Sequence, residues 1–291
     1  MPGLTVTDLT PTFGAEISGL EPRVPLDDAT IAELRHIFDT RGLIRFRGID
    51  ADIKFQTYLS NLLIGRDVPD PDALKLNDRF LISNREEKAA APFGRLLYHS
   101  DQMWSPTDRC DLISLFGKEV GQPATPTMFV SAVDGWKTLR ADLKATVAGL
   151  SALQHYDVDT YRKRAAGDAD VLISTYQTGE DHVTTPIGFT HPRTGDTILY
   201  VCQQTTQRIE GLSAAHSDAV LDALFDHLYA PEKEFAHHWQ QGDLVFWDNL
   251  AVQHARPNVA SDGPPRTLRK TLAPMPEQKI EGPKYVNAAA A

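Results

Sequence analysis

Cysteine is nearly absent from this chain: 291 residues hold two, Cys110 and Cys202. They do not form a CxxC pair, and two thiols are too few for a disulfide framework. Both read as buried, reduced side chains. Positive charge is also short. Lys and Arg total 29 against 39 Asp and Glu, a formal net charge of −10, and no basic stripe offsets it. That argues against a nucleic-acid partner, although a local basic pocket for a small anion fits inside an acidic protein. No apolar run reaches the roughly 18 residues that a membrane span needs. Met1 to Val6 has neither a basic n-region nor an apolar h-region. The expected setting is cytoplasmic and reducing, with no membrane partner. Repeats and low-complexity segments are missing as well, and the 19 prolines are dispersed. A single domain over residues 1–291 is expected, with a tail from Asn287 to Ala291 that frays.

What is present suits a globular chain long enough to bury a core without staples. Leu4 to Ile17 alternates loosely and stops at Gly19, as an early strand or hairpin does. Asp27-Asp28-Ala29-Thr30 opens a helix with Ile31, Leu34, Ile37 and Phe38 at helical spacing, closed by Gly42. Gly42 to Gly48 is a glycine-bounded strand, Ile53 to Ile64 a second helix, and Arg79 to Ser83 a strand. Asn84 to Leu97 is polar, then loop-like around Pro92 and Gly94, and suggests a mobile lid over 84–98. Strands are expected at 111–116, 127–133, 183–190, 197–202, 237–239, 244–247 and 268–272. Asp134 to about Leu150 reads as one helix, and Ser213 to Tyr229 as another with Ser213 as N-cap. The charged stretch 156–182 reads as an insertion. Strands dominate the second half, so the expected architecture is mainly β, an antiparallel double sheet closed around a pocket, with flanking helices.

The chemistry begins at His99-Ser100-Asp101. On an extended segment, residues two apart project to one face, so an imidazole and a carboxylate share a space. His254 follows far downstream, after Trp247-Asp248-Asn249. Two histidines and one carboxylate make the facial triad that leaves three positions of an octahedral iron(II) open. Alone, each part is weak. An HxD occurs by chance, and His254 by itself is an ordinary hydrogen-bonded histidine. Trp247-Asp248-Asn249 fits a turn that delivers His254, its Asp and Asn bonding backbone N–H groups.

Further pieces recur in order: Gly14-Ala15-Glu16-Ile17-Ser18-Gly19-Leu20, the strand Gly42 to Gly48, a Pro-x-x-Pro-Thr segment ending at Thr127, and Arg266-Thr267-Leu268-Arg269-Lys270-Thr271. With them the chain resembles, over nearly its whole length, the taurine dioxygenase and 2,4-dichlorophenoxyacetate dioxygenase (TauD/TfdA) group of Fe(II)/2-oxoglutarate enzymes. The resemblance implies a double-stranded β-helix core, a jelly roll of cupin-like type. It implies Fe(II) held by His99, Asp101 and His254, with 2-oxoglutarate and O2 as cosubstrates. Thr127 would hydrogen-bond the distal carboxylate of 2-oxoglutarate, with Thr125 a close competitor, and Arg266 would pair with that carboxylate. A guanidinium offers a carboxylate a planar fork. The plainer alternative for Arg266 is a surface arginine after Gly263-Pro264-Pro265. Arg266, Leu268 and Lys270 alternate, which puts two cations on one strand face.

The implied reaction hydroxylates a small organic substrate, with cleavage after hydroxylation beside a heteroatom, while 2-oxoglutarate becomes succinate and CO2. Desaturation and decarboxylative outcomes stay open. Asp101 argues against halogenation, because related halogenases lack the carboxylate ligand. Where the family has a second arginine, this chain has Lys270, with Arg269 beside it. Lysine is a point charge without the fork, so an anionic substrate, a carboxylate or sulfonate, would be gripped differently. Asn84, Tyr98, Trp104 and Lys270 are the substrate-side candidates, and Met103 flanks the ligands. Packing competes for Tyr98, which alternates away from His99, and for Trp104. Rivals from other classes are a non-redox metal-binding β-barrel and a Zn(II) hydrolase on the same three ligands. Neither needs a carboxylate clamp at Arg266 and Thr127. Oligomeric state is open, a homo-oligomer included.

Overall fold

Short strands outnumber helices among the described residues. A computed structural model describes residues 3–22, 25–68, 80–86, 89–107, 110–165, 168, 170–174, 181–274 and 285–287. The first third holds β1 (Thr5–Asp8), β2 (Ala15–Ser18), α1 (Asp28–Arg41), β3 (Leu43–Phe46), α2 (Ile53–Leu63), β4 (Leu81–Ser83) and β5 (Gly94–His99). The middle holds β6 (Leu112–Val120), β7 (Thr127–Ser131), α3 (Ala132–Lys137), α4 (Ala141–Val147), β8 (Ser151–Gln154), α5 (Val158–Arg164), β9 (Leu172–Ser174), β10 (Val183–Pro186), β11 (Gly188–Thr190), β12 (Thr197–Leu199) and β13 (Thr206–Ile209). The last part holds α6 (Ala214–Leu228), β14 (Phe235–His237), β15 (Leu244–Asp248), β16 (Val252–Val259), β17 (Arg266–Ala273) and β18 (Tyr285–Asn287).

Two sheets carry the architecture, a jelly-roll core. The larger runs β1-β2-β3-β15-β6-β17-β4 and the smaller β14-β7-β16-β5. Their pairings are antiparallel except β2 with β3. Alternation along each strand sorts side chains between layers. In β15, Val245 and Trp247 join Leu43, Ile113 and Leu268 of the large sheet and Phe129 and Val252 of the small one in the core between the sheets. Leu244 and Phe246 face the other way, with Ile44 and Phe46, onto α1 and α2. The outer face of the small sheet, through Val130 and Ala255, packs on α6 residues Val220, Leu221, Leu224, Phe225 and Leu228.

The local signals explain the elements that match expectation. Asp27 caps α1 by accepting from Thr30 N, and Gly42 ends it at φ 66, a left-handed conformation that suits glycine. Ser213 caps α6 through His216 N. Four expectations differ. The sheets are not closed on one another: they remain separate, face to face. The helix expected from Asp134 to Leu150 is divided into α3 and α4, and Leu139 between them is buried. The late strand expected at 237–239 is β14, ending at His237. Most of the stretch read as loop-like lid is β5 and its approach. β5 lacks clean alternation because Leu97, Tyr98 and His99 are all buried. Arg256 ties the approach down by donating to the carbonyls of Ala91, Phe93 and Gly94. Residues 87–88 of that stretch, parts of 156–182 and residues 288–291 lie outside the described residues. The rest of 156–182 includes α5 and β9.

Phe246 is fully buried on the helix side, edge-on to Phe46 at 6.2 Å. Phe246→Ala is expected to lower unfolding stability by about 3–5 kcal/mol in urea titration. A loss under about 1 kcal/mol would contradict this packing.

Candidate functional site

β5 and β16 run antiparallel with His254 directly opposite His99, and the two rings lie 4.1 Å apart. The turn after β5 carries Asp101 to the same place. One ligand atom from each of His99, Asp101 and His254 falls within 4.8 Å of the others. His99 Nδ1 lies 2.8 Å from Leu97 O. A carbonyl only accepts, so Nδ1 carries the proton and Nε2 presents a lone pair, 3.3 Å from Asp101 Oδ1. His254 Nε2 is 3.8 Å from that same oxygen. Its ring packs against Trp247 at 4.9 Å and Phe129 at 6.5 Å.

Charge at the cluster suits a cation. Burial, then the neighbouring His99, hold His254 well below the usual histidine range, so it is a neutral donor. Burial alone would raise Asp101, but the Lys270 ammonium holds it well below the usual carboxylate range. Two neutral imidazoles and one ionised carboxylate fit a divalent first-row metal such as Fe(II).

Asn249 fastens the cluster. Its Oδ1 accepts from Asp101 N at 2.9 Å, and its Nδ2 donates to Asp101 O at 2.8 Å and Cys110 O at 2.9 Å. Asp248 Oδ1 accepts from Leu250 N and Ala251 N and shapes the turn into β16. Lys270 Nζ donates to Asp101 Oδ2, the oxygen turned away from the histidines.

Four residues before Lys270 on the same strand, and on the same face by alternation, sits a guanidinium. Arg266, at the start of β17, is 4% exposed. Its Nε donates to Thr125 O at 3.1 Å and its Nη2 to Thr127 Oγ1 at 3.2 Å. Burial, then repulsion from Arg256, push its pKa well down. Among the described residues no carboxylate forms an ion pair with it. A buried cation without an acidic neighbour is an anion site in waiting. The hydroxyl that Arg266 reaches is that of Thr127; Thr125 turns its hydroxyl to Asn258 O at 3.3 Å. Trp239 Nε1 also donates to Thr127 Oγ1, at 2.9 Å.

The other expected residues lie as follows. Asn84 accepts from Arg266 N at 2.9 Å and donates to Ala260 O and Pro264 O, so it holds the backbone of Arg266. Tyr98 faces away from His99, stacked on Tyr229 at 4.3 Å, with its hydroxyl donating to Glu234. Met103 is buried against Leu250 and Cys202, and Trp104 is partly exposed in the turn after Asp101. Arg269 points outward, its Nε donating to Gln56 Oε1 of α2. The sequence reading did not single out Trp239 or Arg256. Arg256 follows His254 by two on the same strand, which is a usable signal; Trp239 carries none. A separate groove, lined by Arg66, Asp67, Asp111, His191, Arg193 and Asp248, contains none of the three candidate ligands, and its Asp111 and Asp248 are already paired with Arg66 and Arg193.

His237 is fully buried beside Trp239 and Asp243. Burial lowers its pKa despite the nearby carboxylate. As pH falls through about 6.5 the unfolded chain takes up the proton first, so stability declines as pH falls from there toward the folded pKa. His237→Gln is expected to flatten in part the drop in urea midpoint between about pH 7.5 and about pH 5.5. An unchanged drop would exclude His237 as a source.

Comparison with known proteins agrees with this geometry. The family described as taurine catabolism dioxygenase TauD, TfdA family matches residues 5–272. The alpha-ketoglutarate-dependent 2,4-dichlorophenoxyacetate dioxygenase of Cupriavidus pinatubonensis is 26% identical, covering 84% of this chain and 89% of its own. Pentalenolactone F synthase of Streptomyces avermitilis is 25% identical over 84% of this chain and 85% of its own. The crystal structure of AAD-2 in complex with Mn(II) and N-oxalylglycine shares the fold at a TM-score of 0.73 and 21% identity, covering 93% and 96% of the two chains. With the match spanning both sheets and the His-Asp-His cluster between them, the chain belongs to the TauD/TfdA family and is an Fe(II)/2-oxoglutarate-dependent dioxygenase.

Proposed function

We propose that His99, Asp101 and His254 hold the Fe(II), that Arg266 and Thr127 take the distal carboxylate of 2-oxoglutarate, and that the enzyme oxidises a small anionic substrate, with hydroxylation as the primary outcome. The observation that carries this reading is the buried Arg266 guanidinium, without an acidic partner among the described residues, on the strand whose Lys270 reaches Asp101 of the three-donor cluster. A hydrolase or a metal store has no use for that cation. When bound, Fe(II) with 2-oxoglutarate supplies the O2 activation; the side chains supply position and charge.

Each side chain has a task. His99 is oriented by Leu97 O and His254 by Trp247 and Phe129, so neither ring searches for its geometry. Asp101 brings the negative charge, and Asn249 fixes its backbone. Arg266 and Thr127 anchor the far end of the cosubstrate, which leaves its keto-acid end over the cluster. Lys270 shares the inner face of β17 with Arg266. One of its three donors is used by Asp101; the others suit a carboxylate or sulfonate on the substrate. Trp104 is the aromatic candidate on the substrate side. Asn84 acts through Arg266, and Tyr98 belongs to the framework.

The decisive assay is O2 uptake and succinate release with Fe(II) and 2-oxoglutarate, run across sulfonates, aryloxy acids and amino-acid-derived acids. Product structure separates hydroxylation from desaturation or decarboxylation. No 2-oxoglutarate binding under anaerobic Fe(II) conditions would refute the proposal. Arg266→Met is expected to weaken 2-oxoglutarate binding by about 2–4 kcal/mol, read as a rise in its KM. Lys270→Met should instead raise KM for the anionic substrate by about tenfold, as expected for one lost charge-assisted bond. An equal effect on both ligands would count against dividing the two cations in this way.

A further inference from the structure

Thr127 Oγ1 receives two hydrogen bonds, from Trp239 Nε1 at 2.9 Å and from Arg266 Nη2 at 3.2 Å. An indole N–H and a guanidinium can only donate. A threonine hydroxyl has two lone pairs and one proton, so both lone pairs are occupied and the proton is left over. Thr127 is 3% exposed, and among the described residues no acceptor receives that proton. An unmet buried donor is destabilising, and a ligand acceptor relieves it.

We infer that Trp239 is a positioning residue: together with Arg266 it fixes the Thr127 hydroxyl as an obligate donor, so the subsite takes a ligand group that accepts, a carboxylate above all. The inference rests on the cosubstrate reading given above. Trp239 is built to hold its aim. It is fully enclosed, its carbonyl accepts from Gln122 Nε2 at 2.8 Å, and the His237 ring stands edge-on to it at 4.4 Å and 89°. The Arg266 guanidinium lies 6.0 Å from the centre of the indole ring, so one side chain orients both halves of the clamp. Without the indole N–H, Thr127 regains a free lone pair and its rotor regains a choice. A donor free to turn is less well prepared for an anion than one already aimed.

The test is a double-mutant cycle on the Mn(II)-loaded full chain, with N-oxalylglycine as the probe and its Kd as the readout. Trp239→Phe and Thr127→Val are each expected to weaken binding by about tenfold, the size of one charge-assisted hydrogen bond, with the Kd for Mn(II) unchanged. The double variant should be no weaker than Thr127→Val alone, because the indole acts only through the hydroxyl. Losses that multiply would mean that Trp239 merely packs, and would overturn the inference while leaving the cosubstrate reading intact. Failure of the wild-type protein to bind N-oxalylglycine would overturn both. Should Trp239→Phe not fold, the indole N–H resonances of the Zn(II)-loaded wild type decide the matter. The resonance that moves most in Thr127→Val should shift downfield when N-oxalylglycine binds, since chained hydrogen bonds polarise one another. An unmoved resonance would overturn the inference.

Discussion

The pairing of β5 with β16 is the constraint on which the site depends. It puts His99 and His254 face to face as cross-strand neighbours, a distance fixed by backbone hydrogen bonds and independent of side-chain choice. Asn249, on the turn that starts β16, reaches back to both backbone groups of Asp101. Two strands and their adjoining turns thus deliver three donors, and each turn is held by the other. Trp247 and Phe129, one from each sheet, close the floor beneath His254. The His-Asp-His cluster is therefore a product of the β5–β16 pairing and the turns beside it.

Charge is distributed unevenly around that floor. Asp101 meets the Lys270 cation, whereas among the described residues Arg266 meets only neutral oxygens. Such an imbalance costs stability in the ligand-free protein and is relieved when an anion arrives. Ligand binding and folding stability are coupled by mass action, and on the proposed function Arg266 would contribute to that coupling.

Much of this was legible in the residues. The two-residue spacing of His99 and Asp101 placed them together, and the alternation of Arg266, Leu268 and Lys270 put both cations on one face with Arg269 opposite. The caps Asp27, Gly42 and Ser213 bounded their helices because capping is local chemistry. β5 was hidden because a strand buried on both faces shows no period. The break between α3 and α4 was hidden because Leu139 turns into a distant core. Trp239 and the reach of Asn249 to Asp101 are long-range contacts between elements, which no local pattern encodes.

Arg269 and Lys270 are neighbours in sequence and face opposite layers. Arg269 bonds Gln56 of α2 and the carbonyl of Ala51, while Lys270 looks inward at the metal cluster. The strand thereby separates a scaffold position from one that faces the cluster at adjacent sites. On the proposed function, replacements at 270 would retune which molecule is received while the docking of α2 stays as it was. An enzyme arranged in this way can diverge toward new compounds in single steps, each compatible with the same folded frame.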